Sequence, residues 1–192
     1  MKDIVLTDDR VILKPLEAYN YNDLVCFIIE EPEIWKFATV GVNGAEDMRE
    51  YITSALESRD AGKAYPFIVY DKITEQYVGS TRFYNIDHKN KSLLIGYTWY
   101  SKKAQGTGVN KHCKYMMFKY AFEVMGMERV EFRVDNINER SKVAVQSIGC
   151  TLEGVLRSEI IIHSGRRRDT AIYSMLKDEW LDHAKQDLES KL

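Results

Sequence analysis

Apolar residues recur along this 192-residue chain at two spacings, every second position in short runs and every third or fourth in longer ones. Residues 10–16 (RVILKPL) alternate as a first strand, with Pro15 marking its end. Residues 18–30 carry Leu24, Cys26, Phe27 and Ile28 in a helix-like run that stops at Pro32. Residues 44–59 fit a second helix, with Met48, Tyr51, Ile52 and Leu56 on one face. Three strands follow at 65–70, 77–86 and 92–100, joined by polar turns around Thr74 and Lys89.

A long amphipathic helix spans 110–125, burying Cys113, Met116, Met117, Tyr120 and Val124, and Gly126 closes it in a left-handed cap. Residues 128–134 alternate as a further strand, and 138–149 form a short helix with Ala144, Val145 and Ile148 apolar. Strands at 152–162 and 168–176 make a hairpin around His163, Ser164 and Gly165. A charged helix from Lys177 onward is anchored by Trp180, Leu181 and Leu188.

The segment between the strand ending at Tyr100 and the helix beginning near Asn110 bears the chemistry. A helix that starts just after two glycines offers unpaired N–H groups and the positive end of its dipole, which suits an anion, phosphate above all. Two familiar phosphate loops do not fit. A Walker loop needs Lys and then Ser or Thr after its last glycine, where this chain has Val109 and Asn110; a dinucleotide loop needs a glycine where this chain has Lys111. Lys102, Lys103, Lys111 and Lys114 are near enough in sequence to reach phosphates.

Composition narrows the rest. Hydrophobic residues make up 45% and charged residues 29%, a balance that supports one soluble domain over residues 1–192, with a core over about 10–177 and a C-terminal helix. No apolar run approaches a membrane span, and the opening MKDIVLTDDR has charges where a secretion signal needs an apolar segment, so the expected location is the cytoplasm. A net charge of -2 gives no general attraction to nucleic acid or to an anionic membrane. Cys26, Cys113 and Cys150 lack zinc-ligand spacing and are expected reduced and mostly buried; the four histidines are scattered, and no metal is expected.

The loop Gln105, Gly106, Thr107, Gly108, Val109 resembles the acetyl-coenzyme A site of the GNAT superfamily of N-acetyltransferases, with Asn110 departing from the small residue usual at the last position. Other stretches resemble the RimJ/RimL-type branch: AFE at 121–123, residues 129–134, Asn138 with Ser141, EGVLR at 153–157, Asp169, and Glu179 with Trp180. The fold implied is α/β (α+β), a central mixed and mostly antiparallel sheet flanked by helices. The implied activity is direct transfer of an acetyl group from acetyl-CoA to a primary amine, either a protein N-terminus, in some relatives ribosomal, or a small amine. An inactive acyl-CoA-binding or protein-interaction module of the same fold is the alternative. The resemblance also makes a homodimer plausible.

Carried over residue by residue, it implies that the backbone of Thr98, Trp99 and Tyr100 pairs with the pantetheine arm while the strand at 129–134 splays away, with an N–H near Tyr100 as oxyanion donor. Residues Gln105 to Asn110 take the pyrophosphate, Asn110 opening the helix as its N-cap, and Asn138 also binds the cofactor. Many relatives protonate the departing thiolate with a Tyr where this chain has Val145. The branch has Ser at the position of Ser141, which becomes the catalytic candidate, against the plain reading that Asn138 caps a helix and Ser141 sits in its first turn. Relatives often carry a basic Glu where this chain has Leu94; Asp87, His88, Glu30, Glu31 and Glu33 are the remaining base candidates. Free lysine has a pKa of about 10.4 and a terminal amine about 7.7 to 8, so the terminal amine asks less of a base. Trp35 and Phe37 read as core or substrate pocket, and the arginines of GRRRD at 165–169 as solvent-facing or as a docking patch.

Overall fold

Alternation builds one eight-stranded sheet, in the order β1-β2-β3-β4-β5-β6-β8-β7, in a computed structural model that describes residues 4–192. The first three residues of the N-terminal stretch lie outside that range. β1 (Leu6–Thr7) precedes the strand read from the sequence, β2 (Val11–Pro15). α1 (Tyr21–Leu24) and α2 (Cys26–Glu30) follow, then α3 (Ala45–Asp60) and the meander β3 (Ala64–Asp71), β4 (Gln76–Asp87) and β5 (Ser92–Tyr100). Next come α4 (Val109–Lys119), β6 (Arg129–Asp135), α5 (Glu139–Ser147), β7 (Thr151–Ile161) and β8 (Arg167–Leu176); α6 (Lys177–Glu179) and α7 (Lys185–Glu189) close the chain.

Every neighbouring pair is antiparallel except β5 and β6, which run parallel and pair only over Ser92–Leu94 with Arg129–Glu131. Beyond Leu94 the two strands part. One core packs α4 and the C-terminal helix on one face of the sheet through Phe118, Phe122, Phe132 and Trp180. A second packs α3 and the 3-10 turn Pro32–Trp35 on the other, through Trp35, Tyr51, Ile68 and Trp99.

Three elements differ from the pattern reading. The helix expected over 18–30 is broken into a 3-10 turn at Ala18–Asn20 and two short helices, and only Leu24 and Ile28 of its apolar set are fully buried. α4 passes into a π turn over Tyr120–Val124, where Met125 N–H donates to Tyr120 O at 2.9 Å. The wider turn rotates the face, so Phe122 is buried and Val124, expected inside, is exposed. A second π turn at Trp180–Ala184 likewise buries Trp180 and Ala184 and turns Leu181, an expected anchor, to solvent. Gly126, at φ 68°, is the left-handed residue expected.

Candidate active site

The parting of β5 from β6 opens a cavity of about 630 Å³ that reaches both faces of the sheet. On its β6 side the backbone of β5 from Ile95 to Tyr100 has no strand partner. On its other side the register with β4 skips a residue, because Ser80 faces Trp99 while Arg82 faces Gly96. Tyr97 takes up the excess at φ 49°. A bulge of this kind breaks regular pairing and re-aims nearby groups. Gly79 is required at the same junction, since a Cβ there would lie 2.1 Å from Trp99 O.

The loop after β5 turns through Gly106 (φ 77°) and Gly108 (φ 92°). Gly108 is the N-cap of α4, so Asn110 does not open the helix but sits in its first turn. The first helical acceptor is Gly108 O, which receives Lys111 N–H at 2.8 Å and His112 N–H at 3.2 Å. The N–H groups of Val109 and Asn110 therefore lack intrahelical partners, as an anion site requires. Gln105 braces this loop: its Nε2 donates to Tyr100 O at 2.9 Å and its Oε1 accepts from Arg140 of α5.

Most of the residues singled out in the sequence meet at this cavity. Thr98, Trp99, Tyr100, Gln105, Gly106, Gly108, Asn110, Asn138 and Ser141 all line it. Thr107 and Val109 do not. Thr107 Oγ1 donates to Ala104 O at 2.7 Å, and Val109 is fully buried in the core, so only their backbones remain available. Asn138 caps α5, its side chain accepting Ser141 N–H at 3.2 Å, which is the plain reading of that pair; Ser141 nevertheless reaches the cavity wall. Trp35 and Phe37 also line it, and Trp35 is at the same time core, 5.0 Å from Trp99 and 5.5 Å from Tyr51 between ring centroids.

The expected base candidates are elsewhere. Asp87 binds Asn90 in the β4–β5 turn, and these hydrogen bonds hold its carboxyl below the usual range. Glu31 accepts Lys102 N–H at 2.6 Å, and Glu33 pairs with Lys102 Nζ at 3.8 Å. None of Glu30, Glu31, Glu33, Asp87 and His88 lines the cavity. The one carboxylate in its wall is Glu159, which no sequence signal marked. It is re-aimed by an irregularity in β7, where Ser158 stands at φ 55° and pairing with β8 skips from Leu156 to Ile160. Arg133 Nη1 holds it at 2.8 Å.

Lys114, near enough in sequence to reach phosphate, turns into the protein at the cavity wall. Its Nζ donates to Thr81 Oγ1 and Thr98 Oγ1, each at 2.9 Å, while those hydroxyls are 2.8 Å from each other. It is 3% exposed, and burial pulls its pKa down to about 8. The spacing contained a hint, because Lys114 stands three and four residues before the buried Met117 and Phe118. Of the other three lysines only Lys111 lines the cavity.

The GRRRD arginines also divide. Arg167 is exposed, Arg166 pairs with Asp135, and Arg168 is 4% exposed and forms part of the cavity wall. The cysteines are free: Cys113 and Cys150 are buried and Cys26 partly so, with thiol pKa values raised chiefly by burial. Among the described residues no helix is long and apolar enough to cross a membrane.

A sheet split beside a glycine-turned helix N-terminus suits an extended ligand with an anionic end, and comparison gives the family. The family model described as "Acetyltransferase (GNAT) domain" matches residues 10–151, so the chain belongs to the GNAT acetyltransferases. Among curated proteins it is similar to the "Putative ribosomal N-acetyltransferase YdaF" of Bacillus subtilis (strain 168), 27% identical over 176 residues, covering 88% of this chain and 91% of that one. Its resemblances fall in the RimJ/RimL-type branch. Two solved structures share the fold. A GCN5-related N-acetyltransferase from Brucella melitensis aligns at TM-score 0.89 and 23% identity, over 99% of this chain and 86% of that one. The Microcin C7 self immunity acetyltransferase MccE, solved with acetyl-CoA and AMP, aligns at TM-score 0.78 and 24% identity, over 88% and 93%. The protein is an acetyltransferase, and the eight-stranded mixed sheet flanked by helices is the GNAT architecture that the sequence resemblance implied.

Proposed function

We propose that this enzyme binds acetyl-CoA in the split between β5 and β6 and transfers the acetyl group directly to a primary amine. The observation that carries this is the adjacency of three features in one cavity: the unpaired backbone of β5 from Ile95 to Tyr100, the left-handed glycines heading α4, and Ser141. The β5 edge is suited to the amides of the pantetheine arm. The N–H groups of Val109 and Asn110, with Lys111 and Arg140, suit the phosphates.

When bound, acetyl-CoA supplies a thioester whose carbonyl carbon the neutral amine attacks, a C–N bond forming as the C–S bond breaks. The chain's part is to aim a backbone N–H of the bulge in β5 at the oxygen that gains charge and to supply a proton to the leaving sulfur. Ser141 is assigned that proton and recovers one from solvent. The amine's surplus proton passes to water, because Glu159 is held by Arg133 and the expected carboxylates lie outside the cavity. This favours acceptors of modest basicity, such as a chain-terminal amine near pKa 8, over lysine near about 10.4. The name of the B. subtilis relative makes ribosomal N-termini one acceptor class to try.

Thiol release from acetyl-CoA, followed across a panel of amines, tests the reading. Saturable release that needs both substrates is expected. Acetyl-CoA binding without release for any amine would leave a binding module instead.

A further inference from the structure

The cavity wall is rich in cations, and one of them has no carboxylate of its own among the described residues. Across the whole wall five residues are basic and only Glu159 is acidic. Arg133 is committed to Glu131 at 2.9 Å and to Glu159 at 2.8 Å. Arg168 is not committed. It is more than nine-tenths buried in the cavity wall, and its Nε has no hydrogen-bond partner among the described residues. The carboxylates that reach it electrostatically are Asp135 and Glu159, and each is already held by another guanidinium, Arg166 and Arg133 respectively.

Two other buried groups repeat the pattern, one beside Arg168 and one behind the rings of the opposite wall. Thr170 lies two residues further along β8, on the same face as Arg168, and its hydroxyl is also buried and unpartnered. Arg82 of β4 is 4% exposed, its guanidinium 4.1 Å from the ring centre of Tyr97 and 5.2 Å from that of Tyr51, two rings that line the cavity. Both its Nε and its Nη2 are buried without partners among the described residues. Ring faces favour a cation but do not replace oxygen acceptors. A buried guanidinium with idle N–H groups is costly, and an oxyanion seated against it removes that cost. The same cations repel a polycation.

We propose that the amine acceptor carries a carboxylate or phosphate group, which Arg168 binds within the cavity while Arg82 adds to the positive potential there. The proposal rests on the acetyl-transfer reading above and narrows it. Polyamines and lysine-rich peptides are then poor acceptors. Peptides with an acidic residue beside the N-terminus, whose terminal amine stays weakly basic, are the best, and amino acids and aminoalkyl phosphates follow once their more basic amines are allowed for.

The test pairs acceptors with and without the anion and compares rates per neutral amine: glutamate with its bis-amide, O-phosphoethanolamine with ethanolamine, and Ala-Asp with Ala-Asn peptides, with spermidine as the cationic control. Within at least one pair the anionic member should have kcat/KM higher by about ten-fold or more, the pair concerned distinguishing carboxylate from phosphate. Arg168→Gln should erase that advantage and Arg168→Lys should keep part of it, while acetyl-CoA affinity stays within about two-fold and thermal unfolding shows both variants folded. Equal use of neutral amines or spermidine, or a loss in Arg168→Gln that falls alike on charged and neutral acceptors, overturns the proposal and leaves acetyl transfer standing. Failure to bind acetyl-CoA at all overturns the acetyl-transfer reading itself.

Discussion

Lys114 Nζ donates to Thr98 Oγ1 across 2.9 Å, tying the second turn of α4 to the strand whose other edge is left open. The tie has a cost, since the cation is buried against hydroxyls rather than a carboxylate. Between its folded pKa of about 8 and the ordinary lysine value of 10.5, the unfolded chain holds a proton that the folded chain has lost. Stability therefore rises with pH over that window, by up to roughly 3 kcal/mol, and is flat below it as far as this group is concerned. Denaturant unfolding of the parent and of Lys114→Met from pH 7 to 10 should show a rise in the parent that the variant lacks. Parallel curves would mean that Lys114 titrates normally.

Gly108 is needed for its backbone rather than for space. At φ 92° an L side chain is strained by about 1–2 kcal/mol, although the nearest atom to an added Cβ would be His112 Cδ2 at a comfortable 3.8 Å. Gly108→Val should fold yet bind acetyl-CoA about ten-fold or more weakly, because the loop must turn differently to relieve the strain. Gly154→Ala, on the exposed β7 with nothing within 4 Å, is the control and should bind as the parent does.

Ser141 separates proton supply from binding. Ser141→Ala keeps the α5 cap, because Asn138 accepts the backbone N–H of residue 141 and not its hydroxyl. Turnover should fall about 100-fold with acetyl-CoA affinity unchanged. An unaltered kcat would remove Ser141 from the mechanism.

Glu153 accounts for part of the EGVLR stretch in structural terms. From β7 it accepts from Arg129 of β6 and from Ser174 of β8, and the Arg129 hydrogen bond is the chief cause that lowers its pKa to about 2. Its contribution is present above the ordinary glutamate value of 4.5 and is lost as pH falls through about 2. Glu153→Gln should therefore lose stability relative to the parent at pH 6 but not at pH 2, as read by thermal unfolding.

The strands and the glycine turn before α4 were legible because their signals are local. Alternation marked β2 to β8, and Gly106 with Gly108 marked the turn before α4. The two π turns were not legible, since one extra residue in a turn leaves the 3.6-residue rhythm intact on either side while rotating it. That is how Val124 and Leu181 came to be placed on the wrong face. The cavity's charged groups were hidden for a different reason. Glu159 depends on a bulge at Ser158, and the burial of Arg168 depends on which face of β8 meets the split; neither is written in any short stretch of sequence. That the base candidates lie outside the cavity was no more legible, because turn carboxylates such as Asp87 satisfy their own backbone first.

Calorimetric titration of acetyl-CoA into the protein, with desulfo-coenzyme A and ATP alongside, tests the central claim most directly. One site per chain that takes acetyl-CoA and desulfo-coenzyme A but not ATP is the result predicted by an open β5 edge beside the glycine-headed helix. No binding of either coenzyme, or binding of ATP just as tight, would contradict the assignment of the split to the pantetheine arm.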